Sequence, residues 1–346
     1  MKRHKRLWEK VASLENLAAA ACEALRGKRG KRAGAEFFGK WETEVIALER
    51  ELQEGSYQPG AYHYFTIHEP KERVVAAAPF RDRVVHHALV RVLEPIFEPR
   101  FIEDSYACRP GRGTHAGMRR ALHFARRHPF ALKCDIRRYF PSIDQGLLRE
   151  KIARVVGDER VLALIDLILA SHFERTEQVW PAGGDLFAVE ERRRGLPIGN
   201  LTSQFFANIF LDRFDHFVKQ ELGVKGYLRY VDDFLLFGGS RGELKAWGAA
   251  CREFLAAERL EIHPDKYRLI PTADGVDFCG YVVRADGRVR VRSANARRFR
   301  RKFRWMRREV RMGWLDPAEL TASVRAWVAH AEHAQSWGLR RAVLGP

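Results

Sequence analysis

No stretch of about eighteen uninterrupted apolar residues occurs in this 346-residue chain, so the sequence offers no membrane-spanning helix. Its first residues, Met-Lys-Arg-His-Lys-Arg-Leu-Trp, lack the apolar core of a secretory signal, and a cytoplasmic protein is expected. Cysteine is scarce. Cys22, Cys108, Cys134, Cys251 and Cys279 are odd in number and widely spaced, with no C-x-x-C, which argues against a disulfide framework and against structural zinc. Reduced, mostly packed thiols are expected. Acidic charge is also in deficit, with 44 Asp and Glu against 61 Lys and Arg, a formal charge of +17. Such an excess points to a polyanionic partner, nucleic acid before membrane, because no basic amphipathic anchor is evident.

The length suits a large core divided into two or three subdomains. Among what is present, the basic charge is concentrated. Residues 288–311 carry eleven Arg and Lys302 against the single Glu309. Phe299, Phe303, Trp305 and Met306 recur every three to four residues, so one helix could bury them while its arginines face a phosphate backbone. A merely solvated basic helix is the alternative.

The stretch Y-L-R-Y-V-D-D-F-L-L-F-G, 227–238, sets Asp232 and Asp233 between aromatic and aliphatic runs. Residues 227–231 and 234–237 read as short buried strands ended by Gly238-Gly239, which puts the two carboxylates at a hairpin tip. Like charges at the end of apolar strands repel and lose hydration, and a divalent metal is the leading neutralising partner. An ordinary polar turn is the alternative. A third carboxylate, Asp135, ends the apolar strand A-L-K-C-D-I. If that strand lies beside the hairpin, the carboxylates converge into an oxygen-rich site suited to Mg²⁺ and to two-metal phosphate chemistry.

Elsewhere, helices are expected over 14–25, 41–52, 81–97, 146–169, 204–222 and 244–260. Two strands joined at Glu69-Pro70 are expected within 62–78, a turn-rich insertion over 172–194, and a strand pair around 276–291. The basic loop 26–34 interrupts the first helices. No internal repeat is visible, and the order of elements fits a mixed α+β class.

Taken together, D-I-R-R-Y-F-P-S-I, G-L-P-I-G-N-L-T-S-Q-F-F-A-N-I-F-L, Y-V-D-D, H-P-D-K and F-C-G-Y resemble the successive palm motifs of a reverse transcriptase. P-K-E-R-V-V, D-R-V-V-H-H-A-L and S-Y-A-C-R-P-G-R-G-T-H-A-G resemble the fingers motifs of bacterial reverse transcriptases related to group II introns. The resemblance covers roughly residues 60–285. It implies a right-hand polymerase: an N-terminal helical extension at 1–60, fingers at 61–134 with the start of the palm, a palm at 135–291 on an antiparallel sheet with a fingers insertion, and a basic helical thumb at 292–346. It implies that Asp135, Asp232 and Asp233 are catalytic and, with the Ile136 carbonyl, hold two Mg²⁺ ions, with Mn²⁺ as a substitute. It assigns Lys71, Arg73, Phe140, Ile198, Gly199, Gln204 and Lys266 to the incoming deoxynucleotide, Phe140 as the ring that excludes a ribose 2′-hydroxyl. It assigns Arg109, Arg112, Phe278, Gly280 and Tyr281 to template and primer, and the basic strip adds Arg297, Arg298 and Arg301. Cys279 stands where leucine is usual.

One departure narrows the resemblance. Most reverse transcriptases carry P-Q-G where this chain has Pro197-Ile198-Gly199, and Ile-Gly followed by Asn-Leu-Thr-Ser-Gln resembles the enzymes of diversity-generating retroelements. Residues 326–337 resemble the thumb of that group. The resemblance implies error-prone copying at template adenines, a template-repeat RNA, an RNA–cDNA duplex and a small basic accessory protein, whose oligomeric form it leaves open. A retron or phage-defence reverse transcriptase is the alternative, and Ser203-Gln204 argues against it. A non-catalytic RNA-binding scaffold is a third reading, opposed by the presence of all three carboxylates.

Overall fold

The structure, a computed structural model, describes residues 3–68, 72–179 and 190–345. Mixed α+β architecture is observed, with antiparallel sheets throughout the named strands. The chain forms two interleaved compact units. The first comprises Met1–Ile102, Ile136–His216 and Glu253–Glu261; the second comprises Glu103–Asp135, Phe217–Arg252 and Ile262–Pro346.

In the first unit the helices Leu14–Leu25, Trp41–Glu54 and Phe80–Phe97 bury apolar faces that include Leu17, Leu48, Val84 and Leu93. The basic loop at 26–34 is shorter than expected, because a helix Arg32–Phe38 begins inside it. The strands His63–Ile67 and Arg73–Ala77 pair antiparallel, and their expected junction at Glu69-Pro70 lies outside the described residues. The single helix expected over 146–169 is two, Gln145–Ala153 and Glu159–Ala170. Gly157 and Asp158 break it: the Asp158 carboxylate caps the second helix by accepting from the Arg160 and Val161 amides at 3.2 and 3.3 Å. Within 172–194, a two-stranded ribbon pairs Arg175–Val179 with Glu190–Arg194. The helix Leu201–His216 follows.

The second unit is built on a four-stranded antiparallel sheet. Its order is Gly226–Tyr230, Asp233–Gly238, Phe130–Asp135, Arg268–Pro271, so the two central strands are those that carry Asp233 and Asp135. Leu228, Leu235, Phe237 and Ala131 on these strands pack with Met118, Ala121 and Phe124 of the helix Thr114–Ala125. A three-stranded sheet, Val276–Phe278, Tyr281–Val283 and Val289–Val291, adds Phe278 and Tyr281 to the same core. One strand more than the expected pair is present, because R-V-R-V-R opens as a strand before the helix Ser293–Arg311. On that helix Phe299 stacks on Trp327 with ring centroids 4.4 Å apart, and Met306 is buried. Trp305 is 50% exposed: residues 299, 303 and 306 share one helical face, and 305 is rotated out of it. Cys22 and Cys108 are exposed rather than packed, and all five thiols are free. Among the described residues no helix is long and apolar enough to cross a membrane.

Candidate active site

The hairpin tip is a two-residue connection. Tyr230 pairs with Asp233, leaving Val231 and Asp232 as the turn. Val231 has φ of 57°, a left-handed backbone that a β-branched residue adopts only under strain. Beneath the turn lies Arg229, fully buried, whose Nη1 donates to the Val231 carbonyl at 2.9 Å. The Arg229 backbone is itself held: its amide donates to the Asp104 carbonyl at 2.8 Å and its carbonyl accepts from the Tyr106 amide at 2.9 Å. Burying a guanidinium is costly, and in this position its hydrogen bond secures a strained turn. The sequence signal for this residue is a charge inside an otherwise apolar strand, which carries no trace of its bond to the turn.

Asp135 and Asp233 are direct partners across the two central strands, which sets their side chains on one face of the sheet. The Asp135 carbonyl accepts from the His263 amide at 2.8 Å, anchoring the turn Pro264–Lys266, and the Lys266 ammonium forms an ion pair with the Asp135 carboxylate. Lys266 and the three carboxylates therefore form one charged group. Burial first, then the Asp135 and Asp233 charges, push the Asp232 carboxyl up to about 6. Asp233 is raised as well, by burial above all and by Asp135, against the opposing pull of Lys133. Among the described residues no three carboxylate, histidine or cysteine side chains stand in finished metal-binding geometry. The donor set nonetheless suits a hard divalent cation, since hard cations take oxygen ligands and these carboxylates carry excess negative charge in a desolvated setting.

Phe278 and Tyr281 are fully buried and face each other at the base of a second tight hairpin, whose turn residues Cys279 and Gly280 both have positive φ, 50° and 86°. The hairpin thus presents Gly280 rather than the two aromatic rings. Arg109 is nearly buried, with Nη1 donating to the Ser105 carbonyl at 2.8 Å, and Arg112 lies 5.9 Å from the Tyr106 ring. Arg297 and Arg301 are exposed on their helix, while Arg298 is half-buried with Nη2 3.4 Å from the Asn295 side chain.

The remaining nucleotide candidates belong to the first unit, where three segments meet. The Ile198 carbonyl accepts from the Ala76 amide at 3.0 Å, and Asn200 bridges to the Ala76 carbonyl at 2.8 Å and the Ala78 amide at 3.3 Å. Gly199, at φ of 112°, approaches so closely that a Cβ there would lie 2.7 Å from Val75. The strand carrying Arg73 is thereby stapled to Ile198 and Gly199. The Phe140 carbonyl accepts from the Leu196 amide at 2.9 Å, which joins Phe140 to the same assembly. Arg73 and Gln204 are exposed, and Ile198 and Phe140 are half-buried. Lys71 lies outside the described residues.

A sheet whose adjacent central strands end in opposed aspartates, with a third in the neighbouring turn, is the arrangement of a right-hand nucleic acid polymerase palm. Residues 67–283 match the reverse transcriptase (RNA-dependent DNA polymerase) family, and the chain belongs to it. It is an RNA-directed DNA polymerase by family. It is 26% identical over 326 residues to Protein YkfC of Escherichia coli (strain K12), spanning 81% of this chain and 83% of that one. It is 24% identical over 285 residues to Nuclear intron maturase 2, mitochondrial, of Arabidopsis thaliana, covering 69% of this chain and 38% of the maturase. In fold it is similar to the apo telomerase of Candida tropicalis, with a TM-score of 0.51 and 13% identity over 68% of this chain and 49% of the telomerase. The chain thus spans most of YkfC but less than half of the maturase or the telomerase.

Proposed function

We propose that this protein is the reverse transcriptase of a diversity-generating retroelement, copying a template-repeat RNA into adenine-mutagenised cDNA. The polymerase part of the reading is carried by the direct opposition of Asp135 and Asp233 with Asp232 in the adjoining turn. Asp135, Asp232 and Asp233, with the Ile136 carbonyl, would hold two Mg²⁺ ions, or Mn²⁺, which when bound offset the charge of an in-line displacement at the α-phosphate. Lys266, paired with Asp135, balances part of that carboxylate charge and would accompany the departing anion. Lys71 and Arg73 grip the triphosphate, a task suited to a point charge beside a guanidinium fork. Phe140 sits against the sugar and selects deoxynucleotides. Gly280 meets the primer backbone, and Arg297, Arg298 and Arg301 meet the phosphates of template RNA and the RNA–cDNA duplex.

The retroelement part rests on Ile198. The Asn200 bridges hold its backbone against the strand of Arg73, and on this reading its aliphatic side chain stands in for a glutamine that would hydrogen-bond to the nucleotide. With that hydrogen bond absent, selection falls on pairing and stacking alone. A small basic accessory protein and a dedicated RNA complete the system, and the chain acts in the cytoplasm. Sequencing cDNA made on a defined RNA, with and without the accessory protein, tests the proposal. Substitutions concentrated opposite template adenines are the expected result; uniform, infrequent errors with full template selectivity from the chain alone would instead favour a retron-like enzyme.

A further inference from the structure

Lys133 is a half-buried charge in the strand Phe130–Asp135, whose Ala131, Leu132 and Cys134 are fully buried. It stands two residues before Asp135 and therefore on the same face of the sheet, between Leu235 on one neighbouring strand and Arg268 on the other. An ammonium drawn out of water costs free energy unless an acceptor meets it. The acceptor is a backbone oxygen: Lys133 Nζ donates to the Asp277 carbonyl at 2.8 Å. Asp277 belongs to Val276–Phe278, the edge strand of the three-stranded sheet, so the ammonium joins the rim of that sheet to the sheet of the aspartates.

The strand it reaches leads directly into the turn Cys279-Gly280. Asp277 and Val282 form the pair next to Phe278 and Tyr281, which close that turn. Other contacts fix the hairpin from the side of the chain that follows. The Gly280 carbonyl accepts from the Arg292 amide at 3.0 Å, Arg292 Nε pairs with the Asp277 carboxylate at 2.7 Å, and the Tyr281 hydroxyl donates to the His330 carbonyl at 2.8 Å. These tie the hairpin to the helices Ser293–Arg311 and Pro317–Ala331. Lys133 ties it to the strand of Asp135. Its charge also pulls on Asp233, and both Asp233 and Lys133 act on the Cys279 thiol, so the turn lies within electrostatic reach of the carboxylates.

We propose that Lys133 is a positioning residue for nucleotidyl transfer: through the Asp277 carbonyl it holds the Cys279-Gly280 turn at a fixed distance from Asp135 and Asp233, so that a primer terminus seated on the turn stays aligned with the reacting site. The proposal rests on the reading of Gly280 as a primer contact. A misplacement of about 1 Å in such an alignment can cost about 10²-fold in rate. Affinity for the duplex, set by the basic surface, is insensitive to it.

Lys133→Met keeps the length of the side chain and suits its apolar neighbours but removes donor and charge, whereas Lys133→Arg keeps both. Two measurements on the full chain test the proposal. Amide hydrogen exchange over residues 276–283, without substrate, should quicken about tenfold or more in the methionine variant, as loss of one charge-assisted bond allows, and stay near the parent's in the arginine variant. In single-nucleotide primer extension, kcat should fall about tenfold or more with methionine while the KM for deoxynucleotide and the affinity for primer–template hold, and arginine should recover most of the loss. Gly280→Ala supplies a cross-check, since a Cβ there would lie 3.0 Å from Asn295 Nδ2 and displace the same turn. Its loss in kcat should not add to that of Lys133→Met, as two substitutions acting through one turn require. Additive losses overturn the proposal, as does exchange left unchanged by methionine or a fall in primer–template affinity that matches the fall in kcat. A parent chain that extended no primer would refute the polymerase reading, and exchange would still decide the tether.

Discussion

Asp135 and Asp233 face each other as a cross-strand pair at the ends of the two central strands, an arrangement that sheet stability alone disfavours. Directly opposed like charges destabilise an antiparallel pair, and these are desolvated as well. On the polymerase function proposed above, that cost is borne for the sake of the chemistry. Replacing Asp232 and Asp233 together by Asn should therefore abolish deoxynucleotide incorporation while RNA affinity, set by the basic surface, stays near the parent value. Primer extension and filter binding on the same preparations check this; extension near the parental rate would remove these carboxylates from the mechanism.

The same electrostatics make a stability prediction. Asp232 rises from 3.8 to about 6 in the fold, a bias of about 3 kcal/mol against its ionised form. The folded state binds this proton more tightly than the unfolded one, so stability falls as pH increases from 3.8 through about 6. Asp232→Asn does not titrate. In the presence of a chelator it should unfold at higher temperature than the parent above pH 6, with the gap closing towards pH 4. Adding Mg²⁺ at pH 8 should raise the parent and narrow the gap. A thermal midpoint difference independent of pH would contradict burial and carboxylate repulsion as its cause.

Arg229 supports the turn from below. Arg229→Lys keeps the charge but loses the fork that reaches the Val231 carbonyl. The variant should fold with the parent's circular dichroism spectrum. Its kcat should drop by about tenfold or more, because small displacements of a catalytic group are expensive, while the KM for deoxynucleotide changes little. Steady-state kinetics at saturating template check the split, and equal losses in both parameters would point to general destabilisation.

Neutralising Arg297, Arg301, Arg304 and Arg307, all exposed on the helix Ser293–Arg311, should weaken RNA binding and flatten its salt dependence. Each lost phosphate contact lowers the log–log slope by about 0.7 to 0.9. Affinity measured across a salt series decides it; an unchanged slope means these arginines face only solvent.

On the function proposed above, Ile198→Gln should add one discriminating hydrogen bond to the incoming nucleotide, worth about 1 to 1.5 kcal/mol or about tenfold in selectivity. Misincorporation opposite template adenines should fall several-fold while correct incorporation changes little. Sequencing cDNA from both forms on one template is the measurement. Identical error spectra would remove Ile198 from the control of nucleotide selection.

What the sequence determined by itself was local. The hairpin with Asp232 at its turn, the strand ending in Asp135 and the basic helix are each encoded within a few consecutive residues, through apolar runs, turn residues and charge density. The family motifs follow from the same short segments. Tertiary structure decided whatever depends on pairing between distant segments or on the phase of a side chain about its element. Strand register, set by the sheet as a whole, made Asp135 the partner of Asp233 and turned Arg229 inward to bond the strained turn. Helical phase left Trp305 in solvent while Phe299 and Met306 were buried. Chain segments remote in sequence brought the Asp277 carbonyl to Lys133, because a long-range contact is fixed by the packing of whole elements and leaves no periodic trace in the residues that make it.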